Sequence, residues 1–180
     1  MDYSEEFKLK NGKVVIIRRI TSTNKILFTR RKGNKMTSRT NIKLVPSAQT
    51  IAKITDLLRL HNLPYQDFAA DPHCTIIYSR DVVEVKKIKL PVTDFPIVGK
   101  NARFALFYTK DDGIVLVVEF ECEAAKNCFE YMKKTYNLST RYDEYRAHIT
   151  MQKNLADKNI KLPNIDFDLS FDKIEADNGN

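Results

Sequence analysis

Two segments, HCTIIYS (73–79) and HITMQ (148–152), decide how this chain folds. Each opens on a histidine, places a threonine two residues later, and fills most of the remaining positions with apolar side chains. Successive side chains of an extended strand point to opposite faces, so His73 and Thr75 share one face while Cys74 and Ile76 share the other. The second segment obeys the same rule, with His148 and Thr150 on one side and Ile149 and Met151 turned toward a core. Each motif therefore reads as a strand that offers one imidazole and one hydroxyl to a common surface, anchored from behind by apolar residues.

What precedes each motif has the same order. A short strand, NIKLV (41–45), runs into Pro46 and Ser47, and a serine oxygen there can cap the free amides of a helix. Ile51, Ile54, Leu57 and Leu58 recur at three- and four-residue steps and predict that helix through about His61, before Asn62 and Pro64 end it. A loop with Tyr65 and Phe68 then leads to His73. In the second half, an apolar strand Ile114–Glu121 precedes a helix Glu123–Tyr136 with Ala125, Cys128, Phe129 and Met132 on one side. Asn137 ends that helix, and the polar loop STRYDEYRA (139–147) leads to His148. A strand–helix–strand unit thus occurs twice, which predicts an α+β fold of two pseudo-symmetric lobes with antiparallel sheets around a central cleft. Val82–Lys89, Ala102–Thr109 and Asp166–Ile174 are expected to add strands, with Pro91, Pro96 and Gly99 marking turns.

Before the first unit, Lys13–Ile20 and Lys25–Thr29 alternate like a β-hairpin around the turn Thr21–Asn24, and a charged loop Arg30–Arg39 follows. The expected organisation is a basic hairpin extension over 1–38 and a bilobal domain over 39–180. No Asp or Glu occurs between Phe7 and Thr55, and the net charge of +7 is concentrated there. Such a field favours encounters with phosphates and is weakened by salt. The longest apolar run, Ile114–Val118, is too short to cross a bilayer. The N-terminal MDYSEEFKLK carries acidic residues where a secretory leader is basic and then apolar, so a cytoplasmic location is expected. Cys74, Cys122 and Cys128 fall in no CxxC or Cys/His cluster, and no structural metal or cofactor is expected.

Paired imidazoles suit phosphodiester transesterification, in which one group accepts a proton from the attacking hydroxyl and another donates one to the departing oxygen. With an unperturbed pKa of about 6.5, one ring can be neutral and the other protonated near neutral pH. The threonine hydroxyls can hold the phosphate oxygens, and backbone amides or a lysine can stabilise the charge that builds on phosphorus. A lone strand histidine is more often a packed or surface residue. Here two of only three histidines fall in matching positions of matching units, and the third, His61, sits at a helix end where a structural role suffices.

At DPHCTIIYS (71–79) and YDEYRAHITMQ (142–152) the chain resembles the two-histidine phosphoesterase superfamily, defined by paired His-x-Thr/Ser motifs in two pseudo-symmetric lobes. Within it, the likeness is to the bacteriophage anti-CBASS nucleases that degrade cyclic oligonucleotide signals of bacterial immunity, and it covers about Asn41 to Glu175. The resemblance implies a metal-independent enzyme in the host bacterial cytoplasm, acting on a cyclic di- or trinucleotide. A ribose 2′-hydroxyl would attack the adjacent 3′–5′ phosphodiester, and hydrolysis would leave a linear 3′-phosphorylated product. His73, Thr75, His148 and Thr150 take the catalytic positions, with the acid and base roles left open. An acidic residue of the last strand also belongs to that pattern, placed at Glu175 with Asp172 as the rival. Tyr142 and Tyr145, just before His148, are candidates for stacking on a base. Two other functions compete: cleavage of RNA 2′,3′-cyclic ends or 2′–5′ linkages, which makes RNA a second candidate partner, and sequestration of a nucleotide without cleavage.

Overall fold

The computed structural model describes residues 3–8, 14–20, 25–30, 39–92, 94–142, 144–157 and 159–179. It divides into two compact units, a small N-terminal one and Ser38–Gly179. The small unit is a three-stranded antiparallel sheet of β1 (Tyr3–Lys8), β2 (Val14–Ile20) and β3 (Lys25–Arg30) in that order. The hairpin expected from the alternation is β2 and β3, with Ile17 opposite Phe28. A third strand, β1, pairs with β2 through Glu5 opposite Ile17. Its acidic YSEEFK stretch does not alternate, so periodicity does not predict it. The turn 21–24 and the loop segment 31–38 lie outside the described residues, while Arg30 and Arg39 are strand ends.

The larger unit is α+β. Its strands are β4 (Arg39–Pro46), β5 (Cys74–Ser79), β6 (Ile97–Thr109), β7 (Gly113–Glu121), β8 (His148–Gln152) and β9 (Leu169–Gly179). They form one closed antiparallel sheet in the order β4-β5-β8-β7-β6-β9. The helices are α1 (Ala48–Leu60), α2 (Gln66–Ala70) and α3 (Glu123–Tyr136). The sequence led us to expect separate antiparallel sheets. Two three-stranded groups are present, but β5 meets β8 at Cys74 and Ile149, and β6 meets β9 over Ile97–Gly99, so the strands join into a single sheet.

Helix α1 starts where expected, because Ser47 Oγ accepts from the Thr50 amide at 3.2 Å, and it ends with His61 as its C-cap. Helix α3 ends at Asn137, whose φ of 50° breaks the right-handed helix. Ile54 and Leu58 from α1 and Ala125, Cys128, Phe129 and Met132 from α3 bury against one face of the sheet, which supplies Ile42, Leu44, Cys74, Ile149, Met151 and Phe171. The alternation that makes this work is visible in β4 and β8, where every second residue is buried. The residues between them are half-buried and belong to the opposite face.

Val82–Lys89 is not a strand but a segment with a single 3-10 turn at Val85–Lys87. A closed sheet has no free edge to accept another strand, so this segment satisfies itself through side chains. The Val83 amide donates to Thr40 Oγ1 at 3.0 Å, and the Lys89 amide donates to the Tyr136 hydroxyl at 2.7 Å. The last strand starts later and runs further than Asp166–Ile174, because its start pairs with β6 from Leu169 opposite Gly99 and the rest pairs with β4 as far as Gly179 opposite Arg39.

Candidate active site

A row of polar residues crosses all six strands of the closed sheet. Glu175 on β9 faces Lys43 on β4, and Lys43 faces Thr75 on β5. From the other side, Arg103 on β6 faces Glu119 on β7, and Glu119 faces His148 on β8. The two halves meet where Cys74 pairs with Ile149. Continuing that antiparallel register by one residue either way sets Thr75 across from His148 and His73 across from Thr150. All four motif side chains therefore lie on one face, with Cys74 and Ile149 fully buried behind them. The two histidines are diagonal neighbours in that register, roughly 7–8 Å apart along the backbone with their Cβ atoms somewhat closer.

Local strand irregularities repeat at both motifs. Thr75 faces Lys43 and Ile77 faces Ile42, which leaves Ile76 as an extra residue on β5. Thr150 faces Val117 and Gln152 faces Leu116, which leaves Met151 as an extra residue on β8. Each bulge falls immediately after the motif threonine. Such bulges bend a strand and re-aim its side chains, and they are frequent beside active sites.

The rings are held alike. His73 Nδ1 lies 2.9 Å from the carbonyl oxygen of Asp71, and His148 Nδ1 lies 2.8 Å from that of Arg146. A carbonyl can only accept, so each Nδ1 carries the hydrogen and the Nε2 of a neutral ring carries the lone pair. Beyond this the surroundings differ. The Asp71 carboxylate stands 3.2 Å from His73 Nδ1, and Lys43 Nζ stands 3.2 Å from that carboxylate and 3.7 Å from Glu175. Around His148, the Phe107 ring lies 5.1 Å away, and the Arg146 guanidinium stands 4.5 Å from the centre of the Phe107 ring. Glu119 accepts from Arg103 and Arg146, each at 2.7 Å.

These contacts set the charges. Burial pulls the His148 imidazole below its ordinary pKa, and the positive charges of Arg146 and His73 add to this. The hydrogen bond to the Arg146 carbonyl and the Glu119 carboxylate oppose the shift without cancelling it. Burial pushes the Glu119 carboxyl up, but the hydrogen bonds and charges of Arg103 and Arg146 outweigh it and hold the group below the usual carboxylate value. A hydrogen bond from Lys173 holds Glu175 low in the same way. Behind the site, burial pushes the Cys74 thiol up to about 12, so it is an apolar support and not a nucleophile.

The sequence matches the family model described as "Anti-CBASS protein Acb1" over residues 39–177. The chain belongs to the anti-CBASS protein Acb1 family. The Acb1 match runs from the first residue of β4 into β9 and so takes in every residue of the polar row, while β1–β3 precede it. No curated protein matches the chain.

Of the other residues singled out from sequence, Glu175 joins the row through Lys43. Asp172, its rival, is an exposed residue three positions earlier in β9. Tyr142 is 69% exposed on the loop before β8. Tyr145 is not brought to the motif face. Its ring stacks on Phe129 of α3 at 5.1 Å, and its hydroxyl lies 3.4 Å from both Cys74 Sγ and the Thr75 carbonyl, on the core side of β5. Sequence reading missed Asp71, Lys43, Phe107, Glu119 and Arg146. A charge inside the otherwise apolar run VVEF (117–120) was the available signal for Glu119, and the alternation of NIKLV was the one for Lys43.

Among the described residues, no three His, Cys, Asp or Glu side chains converge as metal ligands do. Nor is any described helix long and apolar enough to cross a membrane.

Proposed function

We propose that the chain is a metal-independent phosphodiesterase of the two-histidine type that opens cyclic di- or trinucleotide signals and thereby counters CBASS defence in the bacterial cytoplasm. The observation that carries this reading is the register about Cys74 and Ile149, by which His73, Thr75, His148 and Thr150 share one face, with each Nδ1 tied to the backbone two residues upstream. Membership of the Acb1 family supports the target. The repeated bulges and repeated histidine contacts support two pseudo-symmetric halves as the origin of the closed sheet.

In this reading the two rings flank the scissile phosphate. One Nε2 takes the proton of the ribose 2′-hydroxyl as that oxygen attacks phosphorus, and the other protonates the departing 5′-oxygen. The 2′,3′-cyclic phosphate formed is hydrolysed with the roles reversed, which leaves a linear 3′-phosphate. Thr75 and Thr150 donate hydrogen bonds to the phosphate oxygens, and Lys43, fixed between Asp71 and Glu175, contributes positive charge to the same face. Glu175 acts here through the position of Lys43. Tyr142 supplies an exposed aromatic surface for a base.

Incubation with 3′,3′-linked cyclic di- and trinucleotides in excess EDTA, with products separated by chromatography, tests the reading. Linear 3′-phosphorylated products are expected from the native chain, and His73→Ala and His148→Ala should each lower turnover by about 10²–10⁴-fold. Ligands bound tightly but recovered unchanged would replace catalysis with sequestration. Cleavage confined to RNA 2′,3′-cyclic ends or 2′–5′ linkages would move the substrate to RNA, which the basic stretch between Phe7 and Thr55 favours.

A further inference from the structure

We propose that Asp67 is a positioning residue for His73, fixing that imidazole from the strand that carries the other motif. The inference rests on the phosphodiesterase reading and deepens it, because it names what sets the two rings relative to one another.

A chain of hydrogen bonds makes the connection. His73 Nδ1 donates to the Asp71 carbonyl at 2.9 Å. The Asp71 amide in turn donates to the Asp67 carbonyl at 3.2 Å, the bond that caps the end of α2. The Asp67 carboxylate then accepts from the Lys153 amide at 2.7 Å, and the neighbouring Gln66 amide donates to the Gln152 side-chain oxygen at 2.9 Å. Gln152 is the last residue of β8 and Lys153 follows it, so α2 is bound at its start to the far end of the strand that begins at His148.

A helix of five residues has few internal hydrogen bonds to keep it in place, so its position comes from what it packs against. Phe68 anchors it on the core side and is 1% exposed. The contacts to Gln152 and Lys153 fix a second point, and a carboxylate that accepts a backbone amide makes a short, charge-assisted bond. Asp71 follows directly on this helix, and its carboxylate stands 3.2 Å from both His73 Nδ1 and Lys43 Nζ. A shift of α2 therefore displaces the carbonyl that orients the ring and the charge beside it together.

His148 is reached from elsewhere. Its Nδ1 donates to the Arg146 carbonyl, and the Arg146 guanidinium is bound to Glu119 on β7. Asp81 supplies a control. Its carboxylate accepts the Ser139 amide at 2.7 Å and the Ser139 hydroxyl at 2.6 Å, a contact of the same kind as that of Asp67. It stands beyond Ser79, at the end of β5 away from His73.

Asp67→Ala in the full chain removes the acceptor, and Asp67→Asn keeps an amide oxygen in its place. On a cyclic dinucleotide, Asp67→Ala is expected to lower kcat about 10–10²-fold with KM changed by less than about threefold, Asp67→Asn to recover most of that loss, and Asp81→Ala to stay within about threefold of the native chain. NMR of the ring nitrogens in ligand-free protein separates orientation of the ring from general loosening. The neutral His73 ring of the native chain holds its hydrogen on Nδ1, and in Asp67→Ala the two nitrogen signals should move toward the average of both tautomers while those of His148 stay in place. Gln152→Ala, which removes the neighbouring contact to the same helix and keeps Asp67, should move the His73 signals in the same direction by less. Equal loss of turnover in Asp67→Ala and Asp81→Ala, unmoved His73 signals in Asp67→Ala or in Gln152→Ala, or signals of both histidines moving together overturns the assignment. A native chain that turns over no cyclic dinucleotide removes the phosphodiesterase reading instead, and the NMR result then still decides whether Asp67 sets His73.

Discussion

Replacing Glu119 by glutamine keeps the side-chain shape and removes one charge from the centre of the Arg103–Glu119–Arg146 bridge. The carboxylate is only 14% exposed, while Arg103 and Arg146 are 74% and 64% exposed. Water can therefore replace what the arginines lose, and the cost falls on the nearly buried acceptor. A glutamine amide still accepts from one guanidinium but turns its NH₂ toward the other. The loss is about one hydrogen bond to a charged group, roughly 2 kcal/mol. For a unit of this size that corresponds to a fall in melting temperature of roughly 4–8 °C near neutral pH. The pH dependence sharpens the test. Because Glu119 is held below its ordinary value of 4.5, the unfolded chain binds its proton more readily than the folded one. The stabilisation is present in full above about pH 4.5 and is lost as pH falls through the folded value. Native protein and Glu119→Gln should therefore converge in stability on acidification, as followed by circular dichroism melts from pH 7 to pH 3. A variant that melts within a degree of the native protein at pH 7, or a gap that widens in acid, would refute the bridge as described.

Other expectations follow from single contacts. Tyr145→Phe keeps the stack on Phe129 and loses two long hydroxyl contacts, so it should cost about 1 kcal/mol or less and leave KM unchanged, while Tyr142→Ala should raise KM about tenfold with no change in melting. Gly99→Ala places a Cβ 2.5 Å from Phe120 Cδ2 and must displace a ring that stacks on Phe171, so a loss of about 1–3 kcal/mol by urea titration is expected. The pH dependence of kcat/KM should be bell-shaped, with its acidic limb below about 6.5 because His148 is held low, although both limbs belong to the coupled pair.

The parts of the fold legible in the sequence were those set by local periodicity. The spacing of Ile54 and Leu58 and the serine cap placed α1, and Ala125, Cys128, Phe129 and Met132 placed α3. The parity of His-x-Thr put four side chains on one face without knowledge of which strands are neighbours. What was not legible depended on partners far along the chain. Val82–Lys89 alternates well enough for a strand, and only closure of the sheet leaves it nothing to pair with. Lys43 and Glu119 join the site through cross-strand register, which a single sequence does not contain, while Asp71, Arg146 and Phe107 join it through side-chain contacts that carry no periodic signal. Tyr145 lies in a loop, where parity carries no information about facing, and packing against α3 turned it to the core.

The central claim is that both imidazoles act on one phosphorus. A crystal structure with a cyclic dinucleotide lacking the 2′-hydroxyl at the scissile position, inert by this mechanism, measures that directly. We expect one phosphate with Nε2 of His73 and Nε2 of His148 within about 2.6–3.2 Å of its oxygens, and with Thr75 and Thr150 on the remaining ones. A phosphate reached by a single histidine, or a ligand bound away from this face, would contradict the account.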